Sequence, residues 1–229
     1  MLLLLGGAIA AVAVLRPDVI DRLALRGAPD DEAARKERQA ARASEQEHLE
    51  RQHRERFGHL IVHVAPERAQ VLRFVGRGPV TAEHLPVGVA HEFVAVADGR
   101  RPTRAVVPAD AHWSREGDEA PRYELAMQAG EESKSRALGE TQLSRDVGTP
   151  TGELGEVRVI TNPPGAKVYH LIGFAPTARV EDLPTDEAHE LLVYRRGHRA
   201  ERVVVGPSDW QRVDGRPTAE ITVELDRGR

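Results

Sequence analysis

The sequence predicts an all-β protein: two tandem small antiparallel β-sandwich modules preceded by an apolar N-terminal segment and a long charged α-helix. Two long stretches align as an internal repeat, and each copy consists of short alternating strands broken by proline and glycine. A charged run between them and the N-terminus has helical capping and pairing signals. The predicted parts are 1–29, 30–58, 59–128, 129–155 and 156–226.

Composition excludes several classes of function. The formal net charge is −4 and aromatic residues make up 4% of the chain, so the sequence lacks the basic excess and stacking residues of a nucleic-acid binder. Because there is no cysteine, disulfides and thiolate metal sites are excluded. We expect no nucleic-acid partner, no cofactor and no metal.

Residues 1–29 are interpreted as a membrane-anchor or signal-like segment with a connector. Met1 to Leu15 is an unbroken apolar run; at about 1.5 Å per residue it is shorter than the roughly 30 Å hydrocarbon core. An anchor, a cleaved signal, the end of a longer transmembrane helix and a buried soluble helix all remain open. Basic residues follow the run and none precedes it, which by the positive-inside rule favours a cytoplasmic C-terminal part.

Residues 30–58 predict a solvated helical stalk. Asp30 is a suitable N-cap and Gly58 a suitable end. Few large apolar residues occur, so a coiled coil is not supported, and the helix is interpreted as a spacer about 40 Å long at 1.5 Å per residue. An interaction helix is the alternative. Oppositely charged pairs lie four residues apart: Glu32 with Lys36, Glu47 with Arg51, and Glu50 with Arg54.

The internal repeat is the strongest signal in the chain. The first part of residues 59–128 matches residues 97 positions later, and after a one-residue slip the separation becomes 98. The residues between the copies, 129–155, are polar and rich in glycine, serine and threonine, which is typical of a flexible linker. The matched residues include Pro66 with Pro163, Ala69 with Ala166, Gly76 with Gly173, Pro79 with Pro176, Leu85 with Leu183, Pro86 with Pro184, His91 with His189, Glu92 with Glu190 and Gly99 with Gly197.

After its first strand each copy has a proline turn: Pro163-Pro164-Gly165-Ala166 in the second and Pro66-Glu67-Arg68-Ala69 in the first. A Gly-x-x-Pro step, a Leu-Pro turn and a hairpin glycine follow in both. This pattern resembles the PEGA domain of prokaryotic envelope and membrane-kinase proteins, whose name describes a Pro-Glu-Gly-Ala turn. The resemblance implies small β modules and brings no catalytic residues with it.

The two turns differ at their third position. Pro164 presets φ, and Gly165 accepts the positive φ of a type II turn. Arg68 stands at the equivalent position of the first copy, so that turn is expected to be type I or to carry about 1 kcal/mol of strain. Both motifs are interpreted as structural.

Each copy has a basic hairpin tip, with Arg100, Arg101 and Arg104 in the first and Arg195, Arg196, Arg199 and Arg202 in the second. The candidate ligand-binding residues are Arg195, Arg196 and Arg199. Such tips could grip an anionic polymer, although charged hairpins more often serve solubility and edge protection. His59 and His63 share a strand face and suit only an adventitious metal. His91 and His189 are interpreted as an inherited strand residue.

The sequence predicts a non-enzymatic, membrane-tethered envelope protein with its β modules outside the cytoplasm, in the periplasm or at the cell surface. This placement is opposite to the one that the positive-inside rule alone favours, and the conflict stays open. Its expected partners are the membrane, through the N-terminal segment, and a cell-wall polysaccharide, peptidoglycan or another envelope protein. The alternative is the extracytoplasmic sensor tail of a receptor-like serine/threonine kinase whose kinase domain lies outside this chain. An enzyme is disfavoured because no nucleophile or acid/base motif is present.

Overall fold

The computed structural model describes residues 28–134, 137–143 and 147–228. The predicted apolar segment, apart from its last two residues, therefore lies outside the described residues. Within the described ranges, no helix combines the length and the apolar character needed to cross a bilayer.

The helix α1 spans Ala28–Arg56. Residues 35–48 are exposed throughout, as a charged sequence with almost no large apolar side chains requires. Arg51 and Glu47 form an ion pair of 3.1 Å in which both side chains are more than half exposed. A pair of this kind adds only a few tenths of a kcal/mol.

Thirteen strands follow, and the prediction of an all-β protein is confirmed. The strands of each repeat are separated by the proline and glycine turns that the sequence predicts. The first repeat contains β1 Phe57–Ala65, β2 Gln70–Arg77, β3 Val80–Pro86, β4 His91–Val96, β5 Thr103–Val107 and β6 Arg122–Gln128. The second contains β7 Leu154–Asn162, β8 Lys167–Phe174, β9 Thr177–Pro184, β10 His189–Tyr194, β11 Glu201–Val205, a 3-10 turn Pro207–Asp209, β12 Gln211–Val213 and β13 Arg216–Glu224.

The strands form three sheets, and every sheet takes strands from both repeats. The four-stranded sheet has the order β12-β13-β1-β9, and the three-stranded sheet has the order β3-β7-β6. The six-stranded sheet has the order β11-β10-β2-β8-β4-β5. The first two strands of each repeat therefore pair with the later strands of the other repeat.

This exchange differs from the expectation of two separate modules at 59–128 and 156–226. The physical reason lies in the two first strands, β1 and β7, which both alternate buried and exposed side chains along their length. Alternation determines which face of a strand is buried but not which repeat supplies its neighbours. Either strand can therefore occupy the equivalent position in either half of the molecule. The sequence could not distinguish strands paired within one repeat from strands paired with the other repeat.

A pseudo-twofold axis passes through the central β2–β8 pair. In its antiparallel register Gln70 lies opposite Phe174 and Arg77 lies opposite Lys167. Gln70 and Lys167 are equivalent in the repeat, as are Arg77 and Phe174, so the register is unchanged when the two repeats are exchanged. The neighbours agree: Tyr194 pairs with Gln70, and its equivalent Val96 pairs with Lys167.

Two apolar cores fill the space on the inner face of the six-stranded sheet. One joins it to the four-stranded sheet through Leu60, Val62 and Leu191, and the other joins it to the three-stranded sheet through Phe93 and Val157. Each such side chain contributes about 1.5–3 kcal/mol when buried. Since every core contains strands from both repeats, neither repeat has a complete core by itself.

The segment 129–155 also differs from the flexible linker that its composition indicates. Glu132 bridges to Arg100, Gly148 bridges to Val89, and Leu138 is buried in a third apolar cluster on the outer face of the six-stranded sheet. The described part of this segment is therefore attached to the β structure along its length.

Of the two conformations expected for the turn before β2, the structure has the strained one, in which Arg68 has a positive φ. Arg68 has a φ of 65°, close to the 80° of Gly165 at the equivalent position. The two proline turns thus share a left-handed third residue. A side chain in this region costs roughly 1–2 kcal/mol, whereas glycine carries no such cost.

We expect Arg68→Gly to raise the free energy of unfolding by about 0.5–1 kcal/mol, since the strain removed exceeds the entropy that glycine adds to the unfolded chain. The matched variant is Gly165→Ala, where an added Cβ meets no atom within 4 Å. It should lower stability by about 1 kcal/mol through the backbone alone. Urea unfolding checks both; a less stable Arg68→Gly protein would contradict the assignment.

Candidate functional site

The outer face of the six-stranded sheet is divided into two unlike halves. On the side of β4 and β5 it is covered by residues 137–143, here called the strap, whose Leu138 and Leu143 pack on Leu72 and Val94. On the side of β10 and β11 it borders an open groove of about 1300 Å³. The two sides are related by the pseudo-twofold axis, so their differences can be compared residue by residue.

A buried carboxylate holds the strap. Glu92, on β4, is fully buried and forms an ion pair with Arg104 of β5. Its second oxygen accepts hydrogen bonds from the Thr141 hydroxyl and from the backbone amides of Gln142, at 3.1 Å, and Leu143, at 3.3 Å. These donors replace the water that the carboxylate loses on burial.

Arg104, the ion-pair partner of Glu92, also binds the strap. Its Nε donates to the Leu138 carbonyl at 2.8 Å and its NH2 group donates to the Gly139 carbonyl at 3.3 Å. The same NH2 group donates to the side-chain oxygen of Gln70 at 2.5 Å. The Glu92–Arg104 pair therefore recognises the strap mainly through its backbone.

The equivalent pair in the second repeat is Glu190 and Arg202. Arg202 Nε lies 3.1 Å from Glu190 Oε1, and the Arg202 side chain is 51% exposed. Glu190 Oε1 is buried, and its contact with Arg202 is an ion pair without a hydrogen bond. Tyr169 lies beside the pair; burial and then the Glu190 charge raise the pKa of its hydroxyl.

The groove lies beside the strap, and its lining includes the hairpin tip 97–100 of the first repeat and the strap residues Ala137 and Leu138. Its floor contains Tyr169, Leu192 and Tyr194. One end is formed by the turn 163–166, which leads into β8, and the other by the tip 196–198, which follows β10. Because β8 and β10 run in the same direction beside β2, the start of one strand and the end of the other lie at opposite ends of the sheet.

The charged side chains that line the groove are predominantly basic. Among the described residues, Lys134, Lys167 and Arg196 form no ion pair with a carboxylate. Such an excess of one charge attracts an anionic ligand. The basic lining residues are Arg77, Arg100, Lys134, Lys167, Arg196 and Arg202, and the acidic ones are Asp98 and Glu132.

The structure separates the candidate residues named from the sequence. Arg196 lines the groove, whereas Arg195 and Arg199 do not. Of the two proline turns, Pro163-Pro164-Gly165-Ala166 lines it and Pro66-Glu67-Arg68-Ala69 does not. Arg202, named from the sequence with the basic tip, also lines the groove. Sequence reasoning missed Lys167 and Tyr169, although a signal was available, because Lys167 stands at the position of Gln70 and Tyr169 at that of Leu72 when the two copies are aligned.

The recurring histidines lie on the inner face, away from the groove. The ring Nε2 of His91 lies 2.9 Å from the Pro86 carbonyl, and that of His189 lies 2.7 Å from the Pro184 carbonyl. Both bonds tie a Leu-Pro turn to the strand that follows it. Burial lowers the pKa of His91, and burial followed by the nearby His91 lowers that of His170 well below its ordinary value.

His59 and His63 are placed on β1, where His63 Nε2 lies 2.7 Å from Glu220. Within the described ranges, His, Asp and Glu side chains do not gather in any group of three that could hold a metal ion.

Comparison of the chain with models of known protein families, with curated protein sequences and with solved structures gave no match. The fold and the groove define an interleaved all-β protein with one basic face. Function must therefore be argued from the residues of the groove.

The strap attachment makes a testable difference between the two halves. We expect Glu92→Gln to lower the free energy of unfolding by about 3 kcal/mol, since it leaves Arg104 buried without its counter-charge. Glu190→Gln is the matched control, and because Arg202 is half exposed its loss should be about 1 kcal/mol or less. Denaturant titration of the two proteins measures the difference. Equal losses would show that the strap does not depend on Glu92.

Proposed function

We propose that this protein is a non-enzymatic binding protein whose ligand lies in the groove over the six-stranded sheet. The observation that carries the proposal is the excess of six basic over two acidic lining side chains above a floor of tyrosine and leucine. The groove, at about 1300 Å³, is larger than the roughly 300–1,000 Å³ of ordinary small-molecule pockets. The proposed ligand is an anionic polymer, which a groove of this size and charge can accommodate.

The lining chemistry supports binding over catalysis. Arginine and lysine stabilise anions, but catalysis also needs a nucleophile or general base with a positioned partner. The groove histidine, His198, has its Nδ1 3.4 Å from the Arg196 carbonyl of its own tip. This contact organises the tip.

The cellular setting is part of the same proposal. The resemblance of both repeats to PEGA domains supports an envelope protein tethered through residues 1–29, with the charged helix as a spacer. Each repeat is then a PEGA-like module that has exchanged its first strands with the other. The β part lies outside the cytoplasm, where cell-wall polymers and envelope proteins carry anionic groups.

We expect the double variant Lys134→Glu with Arg196→Glu to bind labelled poly-L-glutamate about tenfold more weakly than the unaltered protein, because two cations of the groove become anions. The matched control is Arg179→Glu with Arg212→Glu, which changes net charge equally at exposed positions outside the groove. Fluorescence anisotropy at fixed salt measures both. Equal loss in the two variants, or no binding by the unaltered protein to poly-L-glutamate or to alginate, would reject the groove as the site.

A further inference from the structure

We propose that the ligand of the groove is a polypeptide segment carrying a carboxylate, held by Lys167 and Arg202 in the way that Gln70 and Arg104 hold the strap. The inference rests on the proposed function of the groove and names its ligand class. The pseudo-twofold axis makes the strap-covered half and the groove half of the outer face equivalent, and the inference comes from comparing these two halves.

The strap shows what kind of chain this surface accepts. Arg104 binds the strap through two backbone carbonyls, and Glu92 binds it through two backbone amides and a hydroxyl. Apolar contact comes from Leu138 and Leu143 on the sheet. A short non-helical peptide with spaced apolar side chains is thus the demonstrated occupant of one of two equivalent faces.

The second face presents the arginine of the equivalent pair toward the groove. Arg202 is half exposed and lines the groove, so its guanidinium can donate to a ligand as that of Arg104 donates to the strap. Glu190 Oε1 is buried and lies 3.1 Å from Arg202 Nε, so the arginine is the member of the pair that is available to a ligand in the groove.

Charge distinguishes this face from the strap face. Gln70 accepts a hydrogen bond from Arg104 and donates to the Gly139 carbonyl at 3.3 Å, so the strap site is satisfied by a neutral peptide. Lys167, its equivalent, has no acceptor atom. Lys167 and Arg202 both line the groove, and two such cations are best satisfied by a ligand carboxylate, which can accept from both.

Burial of the aromatic side chains favours a peptide over an anionic polysaccharide. Tyr169 is 2% exposed and Tyr194 is 7% exposed, so neither offers an open ring face on which a sugar would stack. Leu192, the equivalent of Val94, lines the groove and can provide the apolar contact that Val94 provides for the strap.

The test uses a fluorescein-labelled, C-terminally amidated peptide, Ala-Leu-Asp-Glu-Thr-Gln-Leu, which is the strap sequence with aspartate in place of its glycine. A neutral peptide with asparagine and glutamine in place of the two acids is the comparison. We expect the full-length protein to bind the acidic peptide about tenfold more tightly than the neutral one. Lys167→Gln, which installs the residue of the other face, should weaken acidic-peptide binding about fivefold, and Arg202→Gln should weaken it about tenfold.

Arg212→Gln, outside the groove, should leave binding unchanged, and circular dichroism should show that each variant is folded. Acidic-peptide binding that is equal for all variants, or equal for the two peptides, would overturn the inference. Alginate serves as the polysaccharide probe. Alginate binding that depends on Lys134 and Arg196, with no peptide binding, would overturn the peptide inference and leave the proposed function standing. No binding of either probe would overturn both.

Discussion

The antiparallel pairing of β2 with β8 is the constraint on which the rest of the structure depends. Each of these strands has a neighbour from the other repeat on its far side, β10 beside β2 and β4 beside β8. The two apolar cores are therefore composite, and the hydrophobic free energy of either is gained only when both repeats are folded. Such an arrangement favours cooperative unfolding over the independent behaviour of two tandem modules.

A duplicated sequence with one connecting segment cannot remain symmetric on its surface. The strap passes over one half of the outer face of the six-stranded sheet, and within the described ranges no other segment covers the equivalent half. The Glu92–Arg104 pair is buried by that passage and is stabilised by hydrogen bonds from the strap. Arg202 of the counterpart pair lines the groove, where Lys167 stands at the position of Gln70 and Tyr169 at that of Leu72.

The sequence was sufficient for the local structure because turn residues and two-residue alternation are local signals. The strands of both repeats lie where the pattern of Pro66, Gly99 and their equivalents indicates. The partner of each strand was not predictable, since β1 and β7 have the same alternation of buried residues. The strap was not predictable either. Its polar composition is typical of a linker, and two leucines are too few to indicate a segment that packs on the sheet.

The residues of the groove could be predicted from the sequence only in part. Arg196 and its neighbours Arg195 and Arg199 are equally basic, and only the conformation of the hairpin determines which of them faces the groove. The turn at Arg68 was open between two conformations until its φ was known. Differences between aligned copies, such as Gln70 against Lys167, carried more information about the site than the charge of the hairpin tips.

The strand exchange is tested most directly by disulfide cross-linking, since the chain contains no cysteine. Thr81 and Arg158 are exposed partners on β3 and β7, across the two repeats. Arg158 and the exposed Arg179 of β9 would be neighbours only if the second repeat folded by itself. After mild oxidation, mass spectrometry of the monomer should find an internal disulfide in Thr81→Cys/Arg158→Cys and none in Arg158→Cys/Arg179→Cys. The reverse outcome would contradict the interleaved fold.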